Sequence, residues 1–328
     1  MTRGRTLVVG GYGYGNLGDE AMLAGLLTQF DRSRVTVVSR SPSETARFHQ
    51  VDSVDIAHAI PALASHGSVV IGGGGLFGRD MGRLGRLLPI FGELAARGGR
   101  NVYLRGVGFD REVPRTAQYV AARLCRVADE VTVRDATSAA LLGEWGVKAA
   151  VAADLSSMLA PAPVVAARQV LREAGVDVTR PVVGLALTAL DAGLAAQILD
   201  AVPRLIQANP EVEFCFVPMS RHPSVRTHDD RVLAAQLRDR APRLRVARVD
   251  DPAVALALVG CFSALVAMRY HSLLFAERMG VPLVPVPYAE KCRRWLDERG
   301  RAAIAAEVAP LQRALNEALA DDRRRVAS

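Results

Sequence analysis

Short apolar runs alternate with stretches whose apolar positions recur every three or four residues along nearly the whole chain. Thr6-Leu7-Val8-Val9 and runs at 35–39, 68–71, 102–104, 130–133 and 149–151 read as strands without a polar face. Helical periodicity fills the gaps at 20–30, 42–48, 84–97, 115–127 and 136–145. Pro161-Ala162-Pro163 interrupts the pattern and reads as a linker. A second alternation follows, with strands at 182–187, 213–217, 244–248, 264–267 and 283–285. Its helices fall at 164–174, 193–208, 229–240, 251–259 and 272–279, and a last one at 302–318. Strands that are apolar throughout and joined by helices predict parallel sheets covered on both faces. The expected fold is α/β, with two Rossmann-like doubly wound domains, residues 1–160 and 161–328, facing a cleft lined by strand C-termini.

Composition narrows the class. The chain has 328 residues, 50% apolar and 23% charged, and no apolar run long enough to span a bilayer. Its basic start, Met1-Thr2-Arg3-Gly4-Arg5, runs directly into the first strand and lacks a secretory apolar region, so a cytoplasmic protein is expected. A net charge of +7 points to anionic ligands or an anionic membrane surface. The arginines are dispersed and no aromatic ladder accompanies them, so nucleic acid is not expected. All but two of the 41 basic residues are arginine; the exceptions are Lys148 and Lys291. A compact ammonium does work a guanidinium does poorly, which makes Lys291 a candidate. Cys125, Cys215, Cys261 and Cys292 are scattered without a Cys-x-x-Cys pair and predict buried thiols, Cys292 being set apart by its neighbour Lys291.

Four segments carry candidate chemistry. Gly10-Gly11-Tyr12-Gly13-Tyr14-Gly15-Asn16-Leu17-Gly18-Asp19-Glu20 joins the first strand to the first helix. Glycines there let backbone amides approach a ligand, while Asn16 and Asp19 either cap the helix or grip hydroxyls. Gly13 to Gly18 also satisfies G-x-G-x-x-G, and Arg40 after the second strand would suit a 2′-phosphate, so NADP binding is one reading. Gly72-Gly73-Gly74-Gly75 ends the strand at 68–71 and strips the cleft floor of side chains. Arg134 stands at a strand tip before Asp135 and Ser138, either as an anion fork or as part of a capped helix start. Met268-Arg269-Tyr270-His271-Ser272 sits where an apolar strand turns into a helix. With extended backbone Arg269 and His271 point the same way, placing a guanidinium beside an acid. His222 and His228 flank a loop before Asp229 and Asp230, at a spacing that fits no familiar metal motif.

Taken in order, these segments resemble the polysaccharide pyruvyl transferase family, with Gly280-Val281-Pro282 and Lys291 extending the likeness. The resemblance implies a GT-B-like fold and transfer of a pyruvyl group from phosphoenolpyruvate to a sugar, usually as a cyclic ketal. It implies Arg269 and His271 as the catalytic Arg-x-His element, with the histidine as acid. Arg134, Lys291 and Ser272 then line the donor pocket. Gly15, Asn16, Gly18, Asp19, Gly73, Gly74 and Gly75 face the acceptor, by analogy with the fold's division of labour. Thr188 stands where many relatives carry an arginine, a contact Arg221 can replace, and Phe109 follows Gly106-Val107-Gly108 in place of the usual proline. The expected partners are phosphoenolpyruvate and a lipid-linked or free saccharide, with no metal and no cofactor. Peripheral contact with an anionic membrane is also expected from the arginine excess. An NADP-dependent oxidoreductase and a non-catalytic sugar- or anion-binding relative are the alternatives.

Overall fold

A computed structural model describes residues 4–77 and 82–327. Met1-Thr2-Arg3, part of the basic start, lie outside the described residues. Contacts divide the chain into two units, Met1–Tyr14 with Asp19–Leu159, and Gly15–Gly18 with Ala160–Ser328. Gly15–Gly18 therefore groups with the second half of the chain, although its sequence belongs to the first loop.

The first unit is built on seven parallel strands, β1 (Thr6–Val9), β2 (Val35–Val38), β3 (Asp52–Val54), β4 (Ser68–Phe77), β5 (Asn101–Phe109), β6 (Glu130–Val133) and β7 (Ala150–Val151), in the order β3-β2-β1-β4-β5-β6-β7. Its helices are α1 (Leu17–Leu27), α2 (Pro42–His49), α3 (Ala59–Ala62), α4 (Gly82–Arg97), α5 (Arg115–Val127) and α6 (Ala136–Glu144). Alternate residues of one strand serve opposite faces. Leu7, Val9, Val69 and Ile71 join α4 and α5 in one core, whereas Val8 and Val70 join Met22, Leu23 and Leu26 of α1 in another. That is the physical content of strands with no polar face.

The second unit has five parallel strands, β8 (Val182–Ala186), β9 (Glu213–Phe216), β10 (Arg245–Val246), β11 (Ala264–Ala267) and β12 (Leu283–Pro285), in the order β10-β9-β8-β11-β12. Its helices are α7 (Val164–Glu173), α8 (Ala192–Ala208), α9 (Asp230–Arg240), α10 (Pro252–Val259), α11 (Tyr270–Arg278), α12 (Glu290–Asp297) and α13 (Val308–Ala327). In both sheets the chain builds outward one way and then reverses. The reversals fall between β1 and β4 in the first sheet and between β8 and β11 in the second, and open α/β sheets bind ligands at such points.

The structure departs from the sequence reading in several places. β3, a partly exposed Asp-Ser-Val edge strand, and α12, which carries Lys291, were not read as elements. β4 continues six residues past Ile71, so the glycine run is strand rather than turn. α11 begins at Tyr270 instead of 272, which affects the site described below.

Burial pushes the Cys125 and Cys215 thiols up to about 12, and Cys292 is fully buried with its thiol donating to the Met268 carbonyl. Only Cys261 is half exposed. Alkylation of the native protein at mild pH should therefore reach Cys261 first and the other three only on unfolding. Below pH 9 folded and unfolded chains both keep the two buried thiol protons. Between pH 9 and about 12 the unfolded chain releases them and the fold does not. Stability should thus fall with rising pH in that window, by up to about 1.4 kcal/mol per unit for each thiol, measurable by denaturant unfolding.

Candidate active site

The residues singled out by sequence fall into two clusters, one at the reversal point of each sheet. In the first unit, Tyr12 is fully buried beneath the loop after β1 and donates to the Gly72 carbonyl at 2.6 Å. Desolvation, followed by the charges of Asp19 and Glu20, pushes its hydroxyl far above the usual tyrosine range, so it acts as a neutral donor. Gly73 and Gly74 adopt φ of +75° and +84°, and a Cβ on either would meet Met22. Close approach of α1 therefore explains these two glycines, and their backbone is buried. Gly75 is less enclosed and lies beside the Arg134 guanidinium, and a Cβ on Gly74 would sit 3.2 Å from an Asp19 oxygen. Arg134 itself has a nearly buried side chain, stacked on the Cα of Gly108 and 3.3 Å from Asp135 Oδ2. Asp135 caps α6 through the Ser138 amide, while the Ser138 hydroxyl accepts from Phe109 N.

The amides that a dinucleotide would use on this loop are engaged by the protein itself. Gly13 N donates to Glu20 Oε1 at 2.8 Å, and the other oxygen of that carboxylate pairs with buried His49 at 2.8 Å. An anionic side chain thus occupies an amide that a pyrophosphate would need. A Cβ on Gly13 would also sit 2.1 Å from Ser39 Oγ, so the loop is packed against Ser39 and Ser41. The amides of Leu17 and Gly18 are likewise taken, by Met219 O and Asn16 Oδ1.

In the second unit the residues line the C-terminal edge of the sheet in strand order. Asp250 follows β10, Ser220 and Arg221 follow β9, Thr188 follows β8, Arg269 and His271 follow β11, and Lys291 follows β12. Arg269 and Thr188 span the β8–β11 reversal point. The Arg269 guanidinium donates from Nε and Nη2 to the two oxygens of Asp230, at 2.8 and 2.6 Å, and from Nη2 to Thr188 Oγ1 at 3.0 Å. Asp230 is buried in the first turn of α9 and also accepts from Ser220 N. This bidentate hold fixes the plane of the guanidinium. Thr188 is thus part of the support for Arg269.

His271 does not lie on extended backbone, contrary to the sequence expectation. Arg269 is the N-cap of α11 and is itself extended, but the chain becomes helical at Tyr270. The imidazole is half-buried and lies directly over Gly18, where a Cβ would come within 2.0 Å of Nδ1. Ser272 also departs from the expected donor contact. It is fully buried and its hydroxyl donates to the Arg269 carbonyl at 2.5 Å, tightening the helix start. Lys291 occupies the first turn of α12, half-buried, and forms no ion pair among the described residues.

Gly15, Asn16 and Gly18, assigned by resemblance to the acceptor side, group with the unit that carries Arg269 and His271. Asn16 and Ser220 form a β-bridge, and Arg221 N donates to Gly15 O. Arg221 also pairs with Asp250 at 2.9 Å, and its buried Nε has no hydrogen-bond partner among the described residues. Arg134 belongs to the first unit, whereas the other donor-side candidates belong to the second. His222 Nδ1 accepts from the amides of Ser224 and Val225, so that nitrogen serves a turn. Sequence named Asp230 only beside the His222–His228 loop and missed its role as the partner of Arg269. Its signal was present, because Asp230 shares a helical face with Leu233, Ala234 and Leu237, and an acid on an apolar stripe needs a buried partner.

Comparison with known proteins adds fold and family. UDP-GlcNAc 2-epimerase from Neisseria meningitidis bound to UDP-GlcNAc aligns with a TM-score of 0.65 at 9% identity, covering 95% of this chain and 91% of that one. UDP-GlcNAc 2-epimerase from Methanocaldococcus jannaschii gives 0.65 at 11%, covering 96% and 92%. The E. coli ADP-heptose lps heptosyltransferase II gives 0.53 at 11%, covering 97% and 99%. With two parallel sheets in one chain, these neighbours establish a GT-B-like α/β fold. No curated protein matches the chain significantly. A family model for polysaccharide pyruvyl transferase matches residues 16–290, a span that runs from the Asn16 cap through the Arg269–Asp230 hold to the start of α12, and the chain belongs to that family.

Proposed function

We propose that the chain transfers the pyruvyl group of phosphoenolpyruvate to two hydroxyls of a lipid-linked cell-envelope or exopolysaccharide sugar, closing a cyclic ketal and releasing phosphate. The observation that carries this reading is the Arg269 guanidinium, fixed by Asp230 and Thr188 at the reversal point of the second sheet, two residues before His271. A guanidinium held in one plane by its neighbours suits recognition of a small anionic acid. Lys291, at the end of the neighbouring strand, supplies a second cation that screens phosphate charge. Arg221, whose buried Nε has no hydrogen-bond partner among the described residues, adds a further donor and packs its backbone and Cβ against Gly15. Fold neighbours that bind UDP-GlcNAc support a sugar as the second substrate.

In this reading His271 delivers a proton to the methylene carbon of phosphoenolpyruvate, and C2 takes up the first sugar oxygen as that hydroxyl passes its proton to an oxygen of the departing phosphate. Phosphate leaves with the C–O electron pair, its charge met by Arg269 and Lys291. The second hydroxyl then adds to C2, and its proton restores the acid. No metal or cofactor enters the scheme. Asp19 and Gly75 of the first unit form the acceptor side.

The test is phosphate release from phosphoenolpyruvate across a panel of lipid-linked and free sugars. Wild type should release phosphate with at least one acceptor, and His271→Ala should lose about 10²- to 10⁴-fold while keeping its fold. Full activity in His271→Ala would refute the assignment. Phosphoenolpyruvate binding with no turnover on any acceptor would leave the non-catalytic reading in its place.

A further inference from the structure

The arginine excess by itself names no surface, but one face of the first unit combines charge with exposed apolar area. α4 buries Leu88, Phe91 and Ala95 against the sheet, at the spacing i, i+3, i+7. Leu87, Ile90 and Leu94 repeat that spacing one residue earlier, and they are 51%, 56% and 44% exposed. α4 therefore carries a second, exposed apolar stripe turned by about 100° from its buried one, whereas a helix covering a sheet in water ordinarily keeps its exposed surface polar. Its packing neighbour α5 does the same: Ala121, Ala122, Leu124 and Cys125 face the core, and Tyr119, Val120 and Val127 stay exposed.

Charge on the two helices is predominantly basic. Together they carry six arginines and a single carboxylate, Glu93. Glu93 is mostly buried between Arg97 and Arg123, which both pair with it. At the far side of α5 the Tyr119 ring meets the Trp145 ring edge-on at 5.9 Å, Arg115 lies over Trp145, and Arg126 donates to the Trp145 carbonyl. Leucine, isoleucine and valine framed by arginines and an aromatic pair is the chemistry of a surface that rests in a lipid headgroup layer. Among the described residues no helix is long and apolar enough to cross a membrane.

We infer that the outer face of α4 and α5 docks the protein on an anionic lipid bilayer. Leu87, Ile90 and Leu94 enter the acyl boundary while Arg115, Arg123 and Arg126 meet lipid phosphates. Exposed apolar area alone would equally suit a second copy of the chain. The one-sided charge selects the bilayer, because two copies would bring arginine against arginine. The inference deepens the lipid-linked reading of the acceptor, since α4 follows the same strand, β4, that carries Gly73–Gly75.

Co-sedimentation of the full chain with vesicles tests it without any substrate. Wild type should pellet with phosphatidylglycerol vesicles in a salt-sensitive manner and stay in solution with phosphatidylcholine. A Leu87→Asp, Ile90→Asp, Leu94→Asp variant should bind at least about tenfold more weakly, and its thermal unfolding should match wild type because all three side chains are exposed. Arg123→Gln with Arg126→Gln should flatten the salt dependence. Phosphate release with a water-soluble acceptor should be unchanged in the aspartate variant, so failure here is separable from failure of the pyruvyl-transfer reading. Absence of vesicle binding by wild type, or equal binding by the aspartate variant, would overturn the inference. So would a dimer that the aspartate variant splits while vesicle binding persists, which would make the face a self-association surface.

Discussion

Asp230→Ala is expected to destabilise the protein by about 3–5 kcal/mol, because it leaves a partly buried guanidinium without the carboxylate that neutralises it. Both oxygens of Asp230 face Arg269, and one also accepts from Ser220 N, so the truncation strands two donors as well as a charge. The lost hydrogen bonds alone account for a minor share; the uncompensated charge dominates. Asp230→Asn keeps the shape and one acceptor, and should fall between the two. Denaturant unfolding gives the stability change. Phosphate release from phosphoenolpyruvate should fall in both variants, since the guanidinium plane is set by this pair. Wild-type stability in Asp230→Ala would show that Arg269 does not depend on it. Thr188→Val tests the third contact and should cost less, because it removes one neutral acceptor.

The second large effect is expected from Gly18→Ala. Gly18 lies in the first turn of α1 and is not in the left-handed region, so alanine suits its backbone and favours helix formation. The added methyl would come within 2.0 Å of His271 Nδ1 and 2.4 Å of Cγ, so the imidazole has to move. Displacing a proton donor by about 1 Å costs on the order of a hundredfold in rate. The expected signature is a variant folded as well as wild type, with near-normal phosphoenolpyruvate binding and kcat lowered about a hundredfold. Unchanged kcat would separate His271 from proton delivery.

Much of this was legible in the sequence because the relevant physics is local. Strands without a polar face announce parallel sheets, and Leu7 to Val9 and Val183 to Leu185 satisfy that directly. Glycine after β1 and at the end of β4, and the Arg-x-His at the end of β11, mark the two reversal points. The Arg269–Asp230–Thr188 assembly was not legible, because its members stand 39 and 81 residues apart and meet only through sheet order. Sequence also overstated Ser272 and Gly72 to Gly74. A hydroxyl in a helix's first turn is readily claimed by the local backbone, as here by the Arg269 carbonyl, and glycines beside a packed helix answer to that helix. The chain position of Gly15–Gly18 concealed the fact that these residues group with the second unit, where Gly18 supports His271.

Calorimetric titration of phosphoenolpyruvate into wild type, His271→Ala and Arg269→Gln tests the central claim without needing the acceptor. Wild type and His271→Ala should bind with similar affinity, and Arg269→Gln should lose binding by about tenfold or more. Equal binding by Arg269→Gln, or no binding by wild type, would contradict the donor site placed at the β8–β11 reversal point.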